Sequence, residues 1–323
     1  MKKIAVIGCG FVGSTYILDL LQQGVQADYL LVDKNTNLAD GHVRDLRDSK
    51  SLKSHNGSTF NVGTYDDLKD ADVVAITASI PTVPTADGEV FTDRLQLMTA
   101  NVKILNEIAL ELKRVGFKGL SIIPTNPCDV MAGVYQKVTG FDPHKIISTG
   151  CQLETMRTRK MISEALGVNS DSVEGFVVGE HGSGAIVPWS VFRVGNVPMK
   201  QLIAEGKIKE EYVKDIFSRV VKEAFEIIKF KKATYFGIAE SMSLITRAYI
   251  YNLNTVLGVG VQLDDKYVAS GIYFTVPAVV GKHGWKLHSK LQLSQEEQAA
   301  FDKSALNIQK VTKDALDLIG FKN

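Results

Sequence analysis

Ile4-Ala5-Val6-Ile7 runs without a break into Gly8-Cys9-Gly10-Phe11-Val12-Gly13, and this junction decides how the chain is read. Four consecutive apolar residues of β-forming type predict a strand buried on both faces. The GxGxxG spacing predicts a tight turn from that strand into a helix. The first glycine permits the turn, the second lets a pyrophosphate approach the backbone, and the third lets helix pack on strand. Alone the spacing is weak, because glycine turns are common. Its context strengthens it: an amphipathic helix follows, and the next apolar run, Tyr29-Leu30-Leu31-Val32, ends in Asp33, twenty residues after Gly13. A carboxylate there accepts hydrogen bonds from both ribose hydroxyls and repels a 2′-phosphate, which points to NAD rather than NADP.

Working outward, Val73-Val74-Ala75-Ile76 and Leu120-Ser121-Ile122-Ile123 are further short apolar runs separated by helical patterns. One of those patterns carries Leu95, Met98, Val102, Leu105, Ile108 and Leu112 at helical spacing. After about residue 145 the pattern changes. A helix over 153–166 leads to a β run over 173–178, then a helix whose stripe is Val213, Ile216, Phe217, Val220, Val221, Phe225 and Ile228, expected to be core. Extended runs over 256–263 and 271–280 follow, and a charged helix begins near Ser294. The fold class expected is α/β: a doubly wound parallel sheet of Rossmann type in residues 1–145, then an α+β substrate domain in 146–323.

Composition narrows the function. The 323 residues are 45% hydrophobic and 23% charged, enough for a sizeable core. Thirty-seven basic against thirty-six acidic residues leave a charge of +1, with no basic surplus for a nucleic acid. No apolar run approaches the roughly 18 residues that would suggest a membrane span. The apolar start is broken by Gly8, Gly10 and Gly13 and is not expected to be a cleaved leader. Cys9, Cys128 and Cys151 lie far apart, so disulfides are not expected, and the six histidines form no metal-binding motif. A cytoplasmic location is expected.

Four later features complete the set. Thr125-Asn126-Pro127 follows a strand of the first half, where strand ends border a ligand crevice. Gly179-Glu180-His181-Gly182 places a histidine, suited to acid–base work near neutral pH, in an irregular segment after a β run. Glu154 and Arg157 stand three apart on a helix, and Arg94 opens another after a long stretch over 79–93. Each has a plainer reading: an Asn-Pro turn, an exposed loop histidine, a surface ion pair, a solvated helix-start charge.

In order, these pieces resemble the NAD-dependent L-lactate/L-2-hydroxyacid dehydrogenases, whose family also contains malate dehydrogenase. The resemblance runs from Lys3 to the final helix through GCGFVG, LVD, DRLQLMTANV, TNP, GCQLETMRTR, GEHG with PWS after it, and KKATYFGIA. It is strongest to the branch with bacterial L-lactate and L-2-hydroxyisocaproate enzymes. It implies NAD bound by Gly8, Gly10, Gly13 and Asp33, with Ile238 beside the nicotinamide. It makes His181 the acid–base group, Arg157 the clamp on the substrate carboxylate, and Arg94 a loop-borne group polarising the carbonyl. Asn126 would bond the reacting oxygen and Thr234 would line the substrate pocket. It also implies a homotetramer acting on a small 2-keto or 2-hydroxy acid. The chain departs from the pattern in three places: Glu154 stands where the histidine's partner is usually aspartate, Ser183 follows GEHG where aspartate is usual, and the 77–94 segment is long. Malate dehydrogenase, or a dinucleotide-binding regulator without catalysis, remain the alternative readings.

Overall fold

The computed structural model describes residues 1–51, 56–80 and 94–321, and the side chains of 94–97 fall outside that description. The first half alternates β1 (Lys2–Ile7), α1 (Phe11–Gln22), β2 (Ala27–Val32), α2 (Thr36–Ser51), β3 (Thr59–Val62) and β4 (Val73–Ile76). It continues with α3 (Arg94–Val115), β5 (Leu120–Ile123), α4 (Cys128–Thr139) and β6 (Ile146–Ser148). All neighbouring strands pair in parallel, in the order β3-β2-β1-β4-β5-β6. Strand order therefore reverses between β1 and β4, and a doubly wound sheet binds its ligand beyond the carboxyl ends of the strands at that point. The apolar runs read from the sequence lie inside these strands, and β4 and β5 are buried throughout. On α3, the stripe of Met98, Val102, Leu105, Ile108 and Leu112 is core.

The second half opens with α5 (Gln152–Leu166), β7 (Val173–Glu174), β8 (Val178–Gly179), β9 (Ala185–Ile186), β10 (Arg193–Val194) and β11 (Val197–Pro198). Then come α6 (Met199–Ala204), α7 (Glu210–Lys231), α8 (Phe236–Ile250), β12 (Thr255–Gln262), β13 (Tyr273–Gly281), β14 (Gly284–Leu287) and α9 (Gln295–Leu318). The long antiparallel β12–β13 hairpin joins the first sheet through Gly260 of β12 opposite Ser148 of β6. β13 carries β8 on its other side, with Thr275 opposite Gly179, and β8 turns back on β9. Among the described residues one eleven-stranded sheet thus reaches from the fingerprint turn to the histidine loop. A separate small sheet, β11-β10-β7, sits over a second core built from α5 and α7, with Ile162, Phe192, Val213 and Ile216 at its centre.

Two expectations need correction. The β run over 173–178 is two strands in two different sheets. Gly175 separates them with φ 136°, a backbone closed to ordinary residues, and the Phe192 ring packs where its side chain would be. The α7 stripe is core only in its first half. Val213, Ile216 and Val220 are buried, but Phe225 is 56% exposed, because this 22-residue helix is longer than the 15-residue α5 it packs on.

α9 spans the join, touching α3 and α4 on one side and β8 and β9 on the other. A capping box starts it: Glu297 N–H donates to Ser294 Oγ at 3.2 Å, and Ser294 N–H donates to the Glu297 carboxylate at 2.8 Å. Ser294→Ala is expected to cost about 1 kcal/mol in denaturant unfolding. An unchanged midpoint and slope would mean that the cap contributes nothing to holding α9.

Candidate active site

The turn after β1 has the shape its glycines anticipate. Gly8 has φ 100°, and a side-chain carbon on it would lie 2.5 Å from the backbone nitrogen of Ala78, just beyond β4. One on Gly13 would overlap the carbonyl oxygen of Gly8, so α1 could not pack this close to the turn. One on Gly10, at the N-cap of α1, would meet no atom of the described residues within 4 Å. The open side of the turn is thus the side on which helix N–H groups can receive a phosphate. Asp33, at the end of β2, accepts the Cys9 N–H at 2.6 Å and the Asn35 N–H at 2.8 Å. Thr77 Oγ donates to the Gly8 carbonyl at 2.6 Å, and Thr125 Oγ donates to the carbonyls of Ile76 and Ala78 at 2.8 and 3.1 Å. The ends of β1, β4 and β5 are tied into one rim, and these residues fit a dinucleotide.

His181 sits in the turn between β8 and β9, closed by Glu180 N–H to the Gly184 carbonyl. Ser304 of α9 also donates to that carbonyl, at 2.9 Å. Glu154, in the first turn of α5 and 7% exposed, places Oε1 2.6 Å from His181 Nδ1. The contact is an ion pair rather than an aligned hydrogen bond: among the described residues neither His181 Nδ1 nor Glu154 Oε2 has a hydrogen-bond partner. Burial lowers the imidazole's proton affinity, but the charges of Glu154 and then Asp129 outweigh it and raise its pKa to about 9, against a smaller opposing effect of Arg157. Burial likewise pushes the Glu154 carboxyl up, and the positive His181 more than reverses it, leaving a net lowering. With Nδ1 turned to Glu154, Nε2 is the nitrogen left for a substrate, and the side chain is 26% exposed.

Arg157 lies one turn along α5 from Glu154 and is half-buried. Burial lowers its pKa although Glu154 and Glu223 oppose this, and among the described residues no hydrogen bond or salt bridge engages its guanidinium. A partly desolvated, unengaged guanidinium is an anion site in waiting. Asn126 is exposed beyond β5, and its carbonyl accepts Asn101 Nδ2 at 2.9 Å. Thr234 is half-buried immediately before α8, and Ile238, in the first turn of α8, packs against the main core. α8 in turn lies on α1, where the Tyr16 and Thr246 hydroxyls meet at 2.6 Å, and Tyr235 stacks on Phe11 of the fingerprint at 5.3 Å. Arg94 begins α3, but its side chain lies outside the described residues, as does the whole of 81–93. Ser183, where the resemblance has aspartate, belongs to the same turn as His181.

Sequence reasoning passed over two buried polar residues at this site. Asn101 is 2% exposed on α3; besides reaching Asn126, its Oδ1 accepts the Ile80 N–H at 3.0 Å. Asp129, also 2% exposed, accepts the His181 N–H at 3.1 Å. Both signals were present. Asn101 interrupts an apolar helical face beside Val102 and Leu105, and Asp129 is an acid in a run otherwise free of charge from Cys128 to Tyr135. Among the described residues no group of three or more His, Cys, Asp or Glu side chains is placed to hold a metal ion.

Comparison with known proteins bears on this geometry. Residues 2–148 match the family model for the lactate/malate dehydrogenase NAD binding domain, and residues 151–319 match that for the lactate/malate dehydrogenase alpha/beta C-terminal domain. The L-lactate dehydrogenase of Mycoplasmopsis pulmonis is 40% identical over 321 residues, covering 99% of this chain and 100% of the relative. Among solved structures, the minor L-lactate dehydrogenase of Enterococcus mundtii superposes with a TM-score of 0.90 at 30% identity, covering 97% of this chain and 98% of that one. The malate dehydrogenase of Plasmodium falciparum superposes with a TM-score of 0.90 at 26% identity, covering 99% and 100%.

The cradle makes its own claim on binding. Gly13→Val pushes α1 away from the Gly8 carbonyl and is expected to weaken NADH binding by at least about 100-fold, a loss near 3 kcal/mol, in a fluorescence titration. Wild-type affinity in this variant would show that the fingerprint does not hold the dinucleotide.

Proposed function

The chain belongs to the lactate/malate dehydrogenase family, and from that premise we propose that it interconverts a small 2-keto acid and the corresponding L-2-hydroxy acid, L-lactate or a branched relative such as L-2-hydroxyisocaproate. It is an NAD-dependent 2-hydroxyacid dehydrogenase. The observation that carries the assignment of its site is one helix presenting two partners to a substrate. α5 bears Glu154 against His181 and, one turn on, the guanidinium of Arg157, which nothing among the described residues engages.

When bound, the cofactor supplies or accepts the hydride. The remaining work falls to the protein. Gly8, Gly10, Gly13 and Asp33 hold the dinucleotide, and Ile238 offers an apolar surface beside the nicotinamide. Arg157 fixes the substrate carboxylate with two parallel N–H bonds. His181, held protonated by Glu154, gives its Nε2 proton to the keto oxygen in reduction and takes it back in oxidation. Asn126 donates to the same oxygen, Arg94 stabilises the charge that develops on it, and Thr234 lines the side-chain end of the pocket.

The side chain of the keto acid is constrained by charge. Between Thr77 and Arg94 the chain has no Lys or Arg, while Asp87, Glu89 and Asp93 are acidic. A second substrate carboxylate finds no cation in this stretch of sequence, and burying it unpaired costs on the order of several kcal/mol. Thr82, Val83, Pro84, Thr85 and Ala86 of the same stretch are neutral. This favours a lactate-type over a malate-type substrate. A cytoplasmic homotetramer is part of the proposal. Among the described residues no helix is long and apolar enough to cross a membrane, and the outward rings of Phe225 and Phe230 on α7 are apolar surface that contact between copies would cover.

NADH oxidation with pyruvate, 2-ketoisocaproate and oxaloacetate under identical conditions tests this reading. Oxaloacetate is expected to give the lowest kcat/KM. Oxaloacetate coming first would overturn the charge argument, and turnover of none of the three would overturn the lactate-type assignment.

A further inference from the structure

Asp129 takes no part in the chemistry assigned above, yet it occupies the most constrained position near it. It stands in the first turn of α4 with Cys128, Val130, Met131 and Ala132 buried around it. A carboxylate in such surroundings is stable only with donors of its own. Among the described residues it has two, from opposite halves of the chain: Ser148 Oγ of β6 donates to Oδ1 at 2.5 Å, and the His181 N–H donates to Oδ2 at 3.1 Å. The third wall is Gly260 of β12, opposite Ser148 in the sheet, where any side chain would overlap both the Ser148 hydroxyl and Asp129 Oδ1. The only residue type that admits this contact stands at that position.

We infer that Asp129 is a positioning residue for His181: fixed by Ser148 in the cofactor half, its carboxylate holds the histidine's main-chain N–H across the seam between the halves. Glu154 engages the ring from α5 while Asp129 engages the backbone from α4, so the histidine is fixed relative to both the substrate side and the cofactor side. Reacting groups misplaced by about 1 Å lose on the order of 100-fold in rate, which gives such an anchor a direct effect on turnover. The inference rests on His181 being the acid–base group.

Charge adds a second effect. Burial pushes the Asp129 carboxyl up to about 6, against its bonds from Ser148 and His181, so above that pH it is ionised and favours the imidazolium. The other titratable groups facing it are Glu180, which raises it further, and the thiols of Cys128 and Cys151, both kept protonated chiefly by burial. Glu154 and Arg157 act on the same ring with opposite signs.

Asp129→Asn keeps an acceptor for the His181 N–H and removes the charge. The alkaline limb of keto-acid reduction, which marks loss of the His181 proton, is expected to move down by about one pH unit. The His181 Cε1–H NMR resonance of the cofactor-free protein is expected to titrate lower by the same amount, with KM for NADH little changed. Asp129→Ala removes the acceptor as well and is expected to lower kcat about 10-fold or more at every pH. Ser148→Ala leaves the carboxylate but takes away a donor. It is expected to leave the alkaline limb in place, because Asp129 remains ionised in that pH range. An unchanged alkaline limb and NMR titration in Asp129→Asn, or an unchanged kcat in Asp129→Ala, overturns the inference. His181→Asn separates the readings. If it is inactive while Asp129→Asn behaves as wild type, only the role of Asp129 falls; if it turns over normally, the acid–base assignment falls and this one with it.

Discussion

Glu154 and His181 stand 2.6 Å apart with the carboxylate almost wholly buried, and the surrounding fold is arranged to keep them there. Removing either ion from water costs several kcal/mol, which attraction in the low-dielectric site offsets only while the two remain close. The pair comes from segments distant in sequence, so stitches between those segments set its distance. Thr155, beside Glu154, accepts the Val177 N–H at 2.9 Å, locking α5 to the segment that leads into β8. Cys151, at the N-cap of α5, donates its N–H to Thr275 Oγ at 3.0 Å, and Thr275 is the residue of β13 that pairs with Gly179. The helix with the carboxylate and the strand before the histidine are thus both registered on the same β13 residue.

Protonation then sets the direction of the chemistry. A donor that titrates near 9 carries its proton at neutral pH, so the resting site is ready to reduce a keto acid. Hydroxy-acid oxidation starts from the neutral imidazole and gains as pH rises. Arg157 moderates the effect from the same helix, since its positive charge lowers the histidine's pKa while its position suits the substrate carboxylate. Glutamate in place of the family's usual aspartate keeps the charge at contact distance, and among the described residues its Oε2 has no hydrogen-bond partner.

The fold was legible wherever burial on both faces wrote itself as a continuous apolar run. β4 and β5 appear in the sequence as the four residues each comprises, and the glycine fingerprint and Asp33 needed only the strand context to be read. β3 escaped notice because it is an edge strand with only Phe60 buried, and the three-residue β6 is too short to show a period. The split of 173–178 lay in the φ of one glycine, which periodicity cannot register. At the site, residue types named His181, Glu154, Arg157 and Asn126 as candidates, but distances made sense of them. Asp129 and Asn101 showed in the sequence only as polar breaks in apolar runs, because their main-chain partners, His181 for the one and Ile80 and Asn126 for the other, are brought near by the fold.

The most direct test of the Glu154–His181 account is the pH dependence of kcat/KM for keto-acid reduction in the wild type, Glu154→Gln and Glu154→Asp. The wild type is expected to hold its rate up to about pH 9 and lose it above, as the imidazolium gives up its proton. Glu154→Gln is expected to lose its rate at a lower pH and to run about 100-fold or more slower at its best, while Glu154→Asp, which keeps the carboxylate, retains most of the activity. A wild-type profile in Glu154→Gln would contradict the claim that this carboxylate keeps the histidine charged.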